Sequence, residues 1–377
     1  MDIIIEDQKQ VDYEKYSSLN TTININKEII NLTLQVPSEY SKYLTNEICD
    51  NVLYLLLPMA MINNFNIVSN IPISKHFLHN INEIYIPSFV LGNPKLGKIS
   101  IKADTICTDY DPSGVGTAVT SGIDSTYTIL KYRDVEEPFK ITHLFICNSS
   151  IDLGYQNEHN VINWDDSNPY YFGRAYAISK HLNLPVIKIY SNYLKFLCFH
   201  PNGIRHLNCH HYITLAHILA LKKLLKLYYF SGERPLTNFS LVDALYTPTT
   251  KQELLCNLVL THDKFFCHNT GIDANNRIDK IPSVIKSDLK QFLHPCFKKT
   301  EKNCCKYTCK KCLHMLCSLD YLDMLDDAKT IYDVDSYRKN KIIYFKSLTK
   351  MKENIFLNHI YNLMYEKYPK KMKIAES

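Results

Sequence analysis

The sequence predicts an α/β protein: a doubly wound parallel sheet, preceded by a small α+β domain and followed by a cysteine-rich knuckle and a helical tail. Three observations predict it. From residue 111 onward, apolar runs of strand length alternate with helix-length stretches; a run of small and hydroxyl residues separates the first such strand from its helix; and Cys296, Cys304, Cys305, Cys309 and Cys312 crowd together near the C-terminus. Parallel strands covered on both faces read as continuous apolar runs, which is the pattern here.

The first domain is expected over residues 1–110, with a strand at 29–36, helices at 41–63 and 74–84, and a strand at 98–105. It carries no recognisable chemistry. It either packs against the domain that follows or recognises a substrate or partner. The second domain, 111–295, starts with the strand–loop–helix at 114–132 and continues with an apolar run at 141–147, a helix at 172–182 and a strand at 184–190. A longer helix is expected at 212–228 and a further strand at 258–266, completing the α/β alternation. The last part, 296–377, joins the cysteine knuckle to a Lys- and Tyr-rich tail with helical periodicity through 345–368.

Composition bounds what such a chain does. With 377 residues, 46% hydrophobic and 21% charged, it is globular and long enough for two domains. A net charge of +5 implies neither a general polyanion binder nor an acidic tail, and leaves room for a local basic groove. The opening Met1-Asp2-Ile3-Ile4-Ile5-Glu6 lacks the form of a signal peptide, and no apolar run reaches the roughly 18 residues of a membrane span. Thirteen cysteines then point to a reducing compartment, so a cytoplasmic location without membrane contact is expected.

The stretch GVGTAVTSGIDSTYTILKY, 114–132, is the most informative in the chain. A small-residue loop at a helix N-terminus presents unpaired backbone N–H groups to an anion, and Thr120, Ser121 and Ser125 add hydroxyl donors. The same stretch also reads as an ordinary strand-to-helix turn capped by Ser or Asp. It is not a Walker A loop, which ends Gly-Lys-Ser/Thr, nor a G-x-G-x-x-G turn. Thr120-Ser121-Gly122-Ile123-Asp124-Ser125 resembles the Ser-Gly-Gly-x-Asp-Ser signature of the PP-loop ATP pyrophosphatase superfamily, whose domain is the adenine nucleotide alpha hydrolase fold. Its last four positions match and Thr120 keeps a hydroxyl. Ser121 stands where the family has its first glycine, a residue that tolerates positive φ far better.

In the cysteine cluster, Cys309-Lys-Lys-Cys312 has the C-x2-C spacing with which two thiolates grip one tetrahedral ion, and Cys296 with Cys304 or Cys305 completes four ligands. The surrounding lysines lower thiol pKa and offset the charge of a zinc tetrathiolate. Free cysteines in a loop, and redox chemistry at Cys309 and Cys312, are the other readings. The series Cys296, Cys304, Cys309, Cys312 is similar to the zinc motif of 7-cyano-7-deazaguanine synthases within the superfamily. Asn303-Cys304 and Cys309-Lys-Lys311-Cys312-Leu313 look like the ending of other PP-loop proteins that carry an N-terminal extension.

Other polar residues fall at expected loop positions. Asp152 follows the second strand of the alternation, where a carboxylate meets ribose or magnesium or caps a turn. Gly271, Arg277 and Lys280 are expected in a basic loop that meets phosphate or carboxylate, or else in a solvated surface loop. His210 and His211 are expected just before the long helix as a nucleotide contact or as packing, and Trp164 as packing.

The resemblance implies an enzyme that cleaves ATP between the α and β phosphates. A carboxylate or carbonyl is adenylated, pyrophosphate leaves, and a nitrogen nucleophile displaces AMP, as in an amide-forming ligase. Thr120 through Ser125, Asp152, Arg277 and Lys280 would bind ATP, Asp124 and Ser125 would serve the chemistry with Mg2+, and Zn2+ would be structural. The expected substrate is a small molecule or peptide, and the protomer a member of a homodimer. The alternatives are an ATP-dependent sulfurtransferase acting on tRNA or a metabolite, and a non-catalytic nucleotide-binding module.

Overall fold

The computed structural model describes residues 1–148, 169–274, 276–294, 309–354 and 357–376. They fall into two compact units, Met1–Ala118 with Lys131–Asn275, and Val119–Leu130 with Asn276–Ser377. The division therefore differs from the one expected at 110 and 295, because N-terminal strands pair into the same sheet as the later ones and residues 119–130 join the C-terminal helices.

The first unit is α/β and is organised by a ten-stranded, mostly parallel sheet. Its N-terminal part is an antiparallel meander of β1 (Asp2–Asp12), β2 (Tyr16–Ile25) and β3 (Glu28–Pro37). Alternation drives it: Ile3, Ile5, Leu19, Ile23, Leu32, Leu34 and Val36 are buried, while Asn20, Thr22 and Asn24 on β2 are only partly so. The β2–β3 connection places Asn26 and Lys27 at φ of 55° and 72°, the double positive φ of a type I′ hairpin. Of this meander the sequence predicts the strand at 29–36; β1 and β2 are further strands beyond that expectation.

Next come β4 (Asn66–Ser69), the short pair β5 (Ile73–Ser74) and β7 (Thr105–Ile106), and β6 (Ile101–Lys102). Then β8 (Gly114–Ala118), β9 (His143–Asn148), β10 (Val186–Ser191), β11 (Leu225–Ser231) and β12 (Phe266–Thr270) run mutually parallel. The sheet order is β12-β11-β8-β9-β10-β3-β2-β1-β4-β6, with β10 pairing antiparallel to β3. Helix α1 (Asp50–Asn63) is buried over twelve of its residues and packs on a later helix at His206–Leu219. A helix apolar all round belongs in such an interior.

Helices α2 (Lys75–Asn80), α3 (Ile86–Gly92), α4 (Ile123–Tyr132), α5 (Pro169–Leu182), α6 (Tyr193–Phe199), α7 (His206–Leu219) and α8 (Glu253–Leu260) follow in order. Two expectations need correction. Residues 212–228 are not one helix: α7 ends at Leu219, Lys222 turns the chain into the interior, and 225–231 form β11. Residues 258–266 are mostly the end of α8 and a turn, with β12 beginning at Phe266. Both stretches owe their reading to apolar segments broken by polar residues, Lys222 and Lys223 in one and 261–264 in the other, and periodicity does not sort such short segments between buried helix and buried strand.

The second unit is helical. The start of α4 is grouped with α9 (Arg277–Ile285), α10 (Lys310–Tyr321), α11 (Val334–Lys339), α12 (Lys341–Lys350), α13 (Asn358–Lys367) and α14 (Pro369–Glu376). Their core gathers Ile123, Ile281, Leu316, Tyr337, Phe345, Met364 and Met372. Among the described residues, no helix is long and apolar enough to cross a membrane.

Candidate functional site

The loop that leads into α4 is held open from within the second unit. Ser121 sits at φ 56°, the left-handed region, and its carbonyl accepts the backbone N–H of His294 at 2.9 Å. Ser125, almost fully buried, closes the loop from the other side. Its Oγ lies 2.9 Å from Thr120 Oγ1, accepts Thr120 N–H at 3.3 Å and donates to Gly122 O at 3.3 Å. The first helical bond runs from Thr126 N–H to Gly122 O at 3.0 Å. Among the described residues, no acceptor is within hydrogen-bond range of the N–H groups of Ser121 through Ser125. They carry the partial positive charge of the α4 N-terminus, and no acceptor among the described residues takes it. A Cβ added at Gly122 would meet only Thr120 Oγ1, at 3.4 Å, so the loop has free space there.

The same turn carries a charge cluster. Asp124, at the second position of α4, accepts from Arg277 Nε at 3.0 Å and Arg277 Nη2 at 2.7 Å through Oδ2, and from Lys280 Nζ at 3.0 Å through Oδ1. Burial alone would raise the Asp124 carboxyl, but Arg277 and then Lys280 outweigh it and hold it below the usual carboxylate range. Lys280 is 1% exposed, so its ammonium is committed to this cluster. Arg277 and Lys280 do not lie in a loop as expected. They occupy the first and fourth positions of α9, whose start is fixed by a capping box between Asn276 and Asp279.

Nearby on α10, His314 is pushed down to about 3 by burial and then by Arg277, and is therefore neutral at physiological pH. The position of His294 gave no sequence signal. His314 lies two residues past the C-x2-C pair and was passed over. Cys309 caps the N-terminus of α10, and Cys312 is fully buried one turn in. The Cys309 thiol is pulled down to about 5, first by a hydrogen bond with Cys312, then by the N–H groups of Cys312 and Lys311 against the cost of burial. Cys317 on the same helix is pushed up to about 12 by burial.

Other residues singled out from the sequence fall elsewhere. His210 and His211 do not precede α7 but lie inside it. His211 is fully buried between Tyr54 OH at 3.0 Å and Asn257 Oδ1 at 2.9 Å, and burial pushes it down to about 3. His210 lies 3.0 Å from Thr249 Oγ1 and is pushed down to about 4. Both are packing residues of the first unit. Gly271 follows β12 at φ 73°. Asp152, Trp164, Cys296, Cys304 and Cys305 lie outside the described residues.

The first unit also holds a polar cluster that the sequence reading missed. Lys222 Nζ, 2% exposed, donates to Asp50 Oδ2 at 2.6 Å, Ser74 Oγ at 2.6 Å and His262 Nε2 at 3.1 Å. Ser74 in turn donates to Asp50 from Oγ at 2.5 Å and from its N–H at 2.8 Å. His262 Nδ1 faces the Leu260 carbonyl at 2.7 Å, which makes Nδ1 the protonated nitrogen and leaves Nε2 to accept from Lys222.

Comparison with protein families, with curated proteins and with solved structures finds no match.

Proposed function

We propose that the chain is an ATP-dependent, AMP- and pyrophosphate-forming ligase of the PP-loop type. One observation carries the reading. Ser121 already adopts the left-handed conformation that a glycine would supply, and the following N–H groups are left open at the start of α4. A phosphate group is the ligand that such a helix start accepts. The strand order supports it: β10-β9-β8-β11-β12 is the 3-2-1-4-5 order of a doubly wound sheet, and the candidate loop follows β8, its first strand.

In the proposed reaction a carboxylate oxygen attacks the α-phosphate of ATP. An oxygen–phosphorus bond forms there, the bond to the bridging oxygen breaks, and pyrophosphate leaves. The open N–H groups would hold the departing charge in place. A nitrogen nucleophile then displaces AMP to give the amide. Asp124 acts as a positioning residue: it holds the Arg277 guanidinium and the Lys280 ammonium at the start of α4. It does not fit the magnesium role, since both of its oxygens are taken by cations, and no step is routed through that metal. Cys309 and Cys312, at the start of α10 and one turn apart, suit half of a structural zinc site.

ATP–pyrophosphate exchange across a panel of carboxylates, with Asp124→Ala as control, tests the reading. Exchange is expected for at least one carboxylate and a loss of a hundredfold or more in the control, on the order of 3 kcal/mol. No exchange and no nucleotide binding by the parent chain would sink it.

A further inference from the structure

The C-terminal helices of the second unit carry a charge that the nucleotide reading does not use. Residues 334–376 contain ten Lys and Arg against four Asp and Glu, so this short segment has a larger net charge than the +5 of the whole chain. Three of the ten are committed: Arg338 to Asp326, Lys341 to Asp320 and Lys367 to Asp323. Lys346, Lys350, Lys352, Lys370, Lys371 and Lys373 are all exposed, and among the described residues none has a carboxylate within ion-pair distance.

The fold collects these lysines. Helix α14 packs on α12, with the Tyr368 ring just before α14 tilted against Phe345 of α12 at 5.8 Å and covered by Lys341 at 4.0 Å. Lys346 and Lys350 stand one turn apart on α12, and Lys370 and Lys373 are one turn apart on α14. We propose that the face formed by α12 and α14 binds the phosphate backbone of a nucleic-acid strand.

Charge complementarity alone fits any polyanion, and two features select a nucleic acid. The apolar sides of these helices are spent inside the unit, with Phe345, Leu348, Met372 and Ala375 buried, and among the described residues of the segment only Ile343 and Ile374 are large exposed apolar side chains. A lipid-binding helix keeps a continuous apolar face for insertion, which is lacking here. Tyr361 and Tyr365, part-exposed on α13 with their rings 6.0 Å apart, add aromatic faces of the kind on which bases stack. The proposal is independent of the nucleotide site.

The test uses the full chain and a fluorescein-labelled 20-nucleotide single-stranded RNA, with a duplex of equal length alongside, read by anisotropy. Micromolar binding is expected at low salt, with log Kd rising against log salt at a slope of roughly 3 to 4 if about five phosphates are contacted. Lys346→Glu with Lys350→Glu, and separately Lys370→Glu with Lys373→Glu, should each weaken binding tenfold or more with unchanged thermal melting. The control, Lys95→Glu with Lys98→Glu, makes the same change in net charge on exposed residues of the first unit and should alter Kd less than twofold. Three outcomes overturn the proposal: no binding of either nucleic acid at low salt, equal losses in the control and the helix variants, or sedimentation with phosphatidylserine vesicles in place of nucleic-acid binding.

Discussion

Each unit holds a carboxylate clasped by cations, and the two clasps are built to different ends. In the first unit Asp50, Ser74, Lys222 and His262 are all buried, and every proton of the Lys222 ammonium has an acceptor. The cluster braces the start of α1, the cap of α2, the turn after α7 and the segment after α8. Lys222 and His262 also line a small recess, yet offer it no spare donor. In the second unit Asp124 is held by two cations, and it stands in a helix turn whose N–H groups have no acceptor among the described residues. A saturated polar cluster supports a fold, whereas unspent donors beside a fixed charge cluster are what a ligand needs. Buried charge by itself does not separate the two cases.

Substitutions that unpair each carboxylate would break this comparison most directly. Asp50→Ala leaves the Lys222 ammonium uncompensated in the interior and should cost about 3–5 kcal/mol, enough to unfold a chain of ordinary stability. Asp124→Ala also unpairs a buried ammonium, that of Lys280, but Asp124 is 18% and Arg277 26% exposed, so water reaches the cluster and the cost to the fold should be smaller, about 2–3 kcal/mol. Chemical denaturation with urea reads both. Equal losses would show that the Asp124 cluster is as structural as the Asp50 one, and the contrast would fall.

Gly122→Ala tests the loop with a smaller effect. An added Cβ meets nothing closer than Thr120 Oγ1 at 3.4 Å, so the melting temperature should stay within a degree or two. The methyl narrows the space over the open N–H groups, and ATP affinity by calorimetry should fall about tenfold, on the order of 1.4 kcal/mol. An unchanged affinity would mean that the phosphates do not enter this loop.

How much of this was legible in the sequence differs by element. The strand, loop and helix at 114–132 were legible because their signals are local: glycine, hydroxyls and a helix start within a dozen residues. The meeting of Asp124 with Arg277 and Lys280 was legible only as two separate guesses, since pairing across 150 residues of sequence is set by tertiary packing. Lys222 falls inside the helix expected at 212–228, when it is a buried charge whose partners Asp50, Ser74 and His262 come from three distant segments. The 212–228 stretch failed for a related reason. Its many apolar residues record burial, and burial is shared by α7 and β11.

The smallest predicted effect bears on the residue where the loop departs from the PP-loop signature. A serine at φ 56° gives up roughly 1 kcal/mol of backbone strain relative to glycine, while glycine adds a comparable entropy to the unfolded chain. Ser121→Gly should therefore leave stability within about 0.5 kcal/mol, the difference of those two terms. Its effect on activity separates two meanings of the serine. If Ser121 holds the loop as a glycine would, ATP–pyrophosphate exchange should change by less than about twofold, because the conformation and the His294 N–H to Ser121 O bond at 2.9 Å are retained. A gain of tenfold or more would show instead that the serine restrains turnover. The chain would then be a nucleotide-binding module whose open N–H groups have outlived its chemistry.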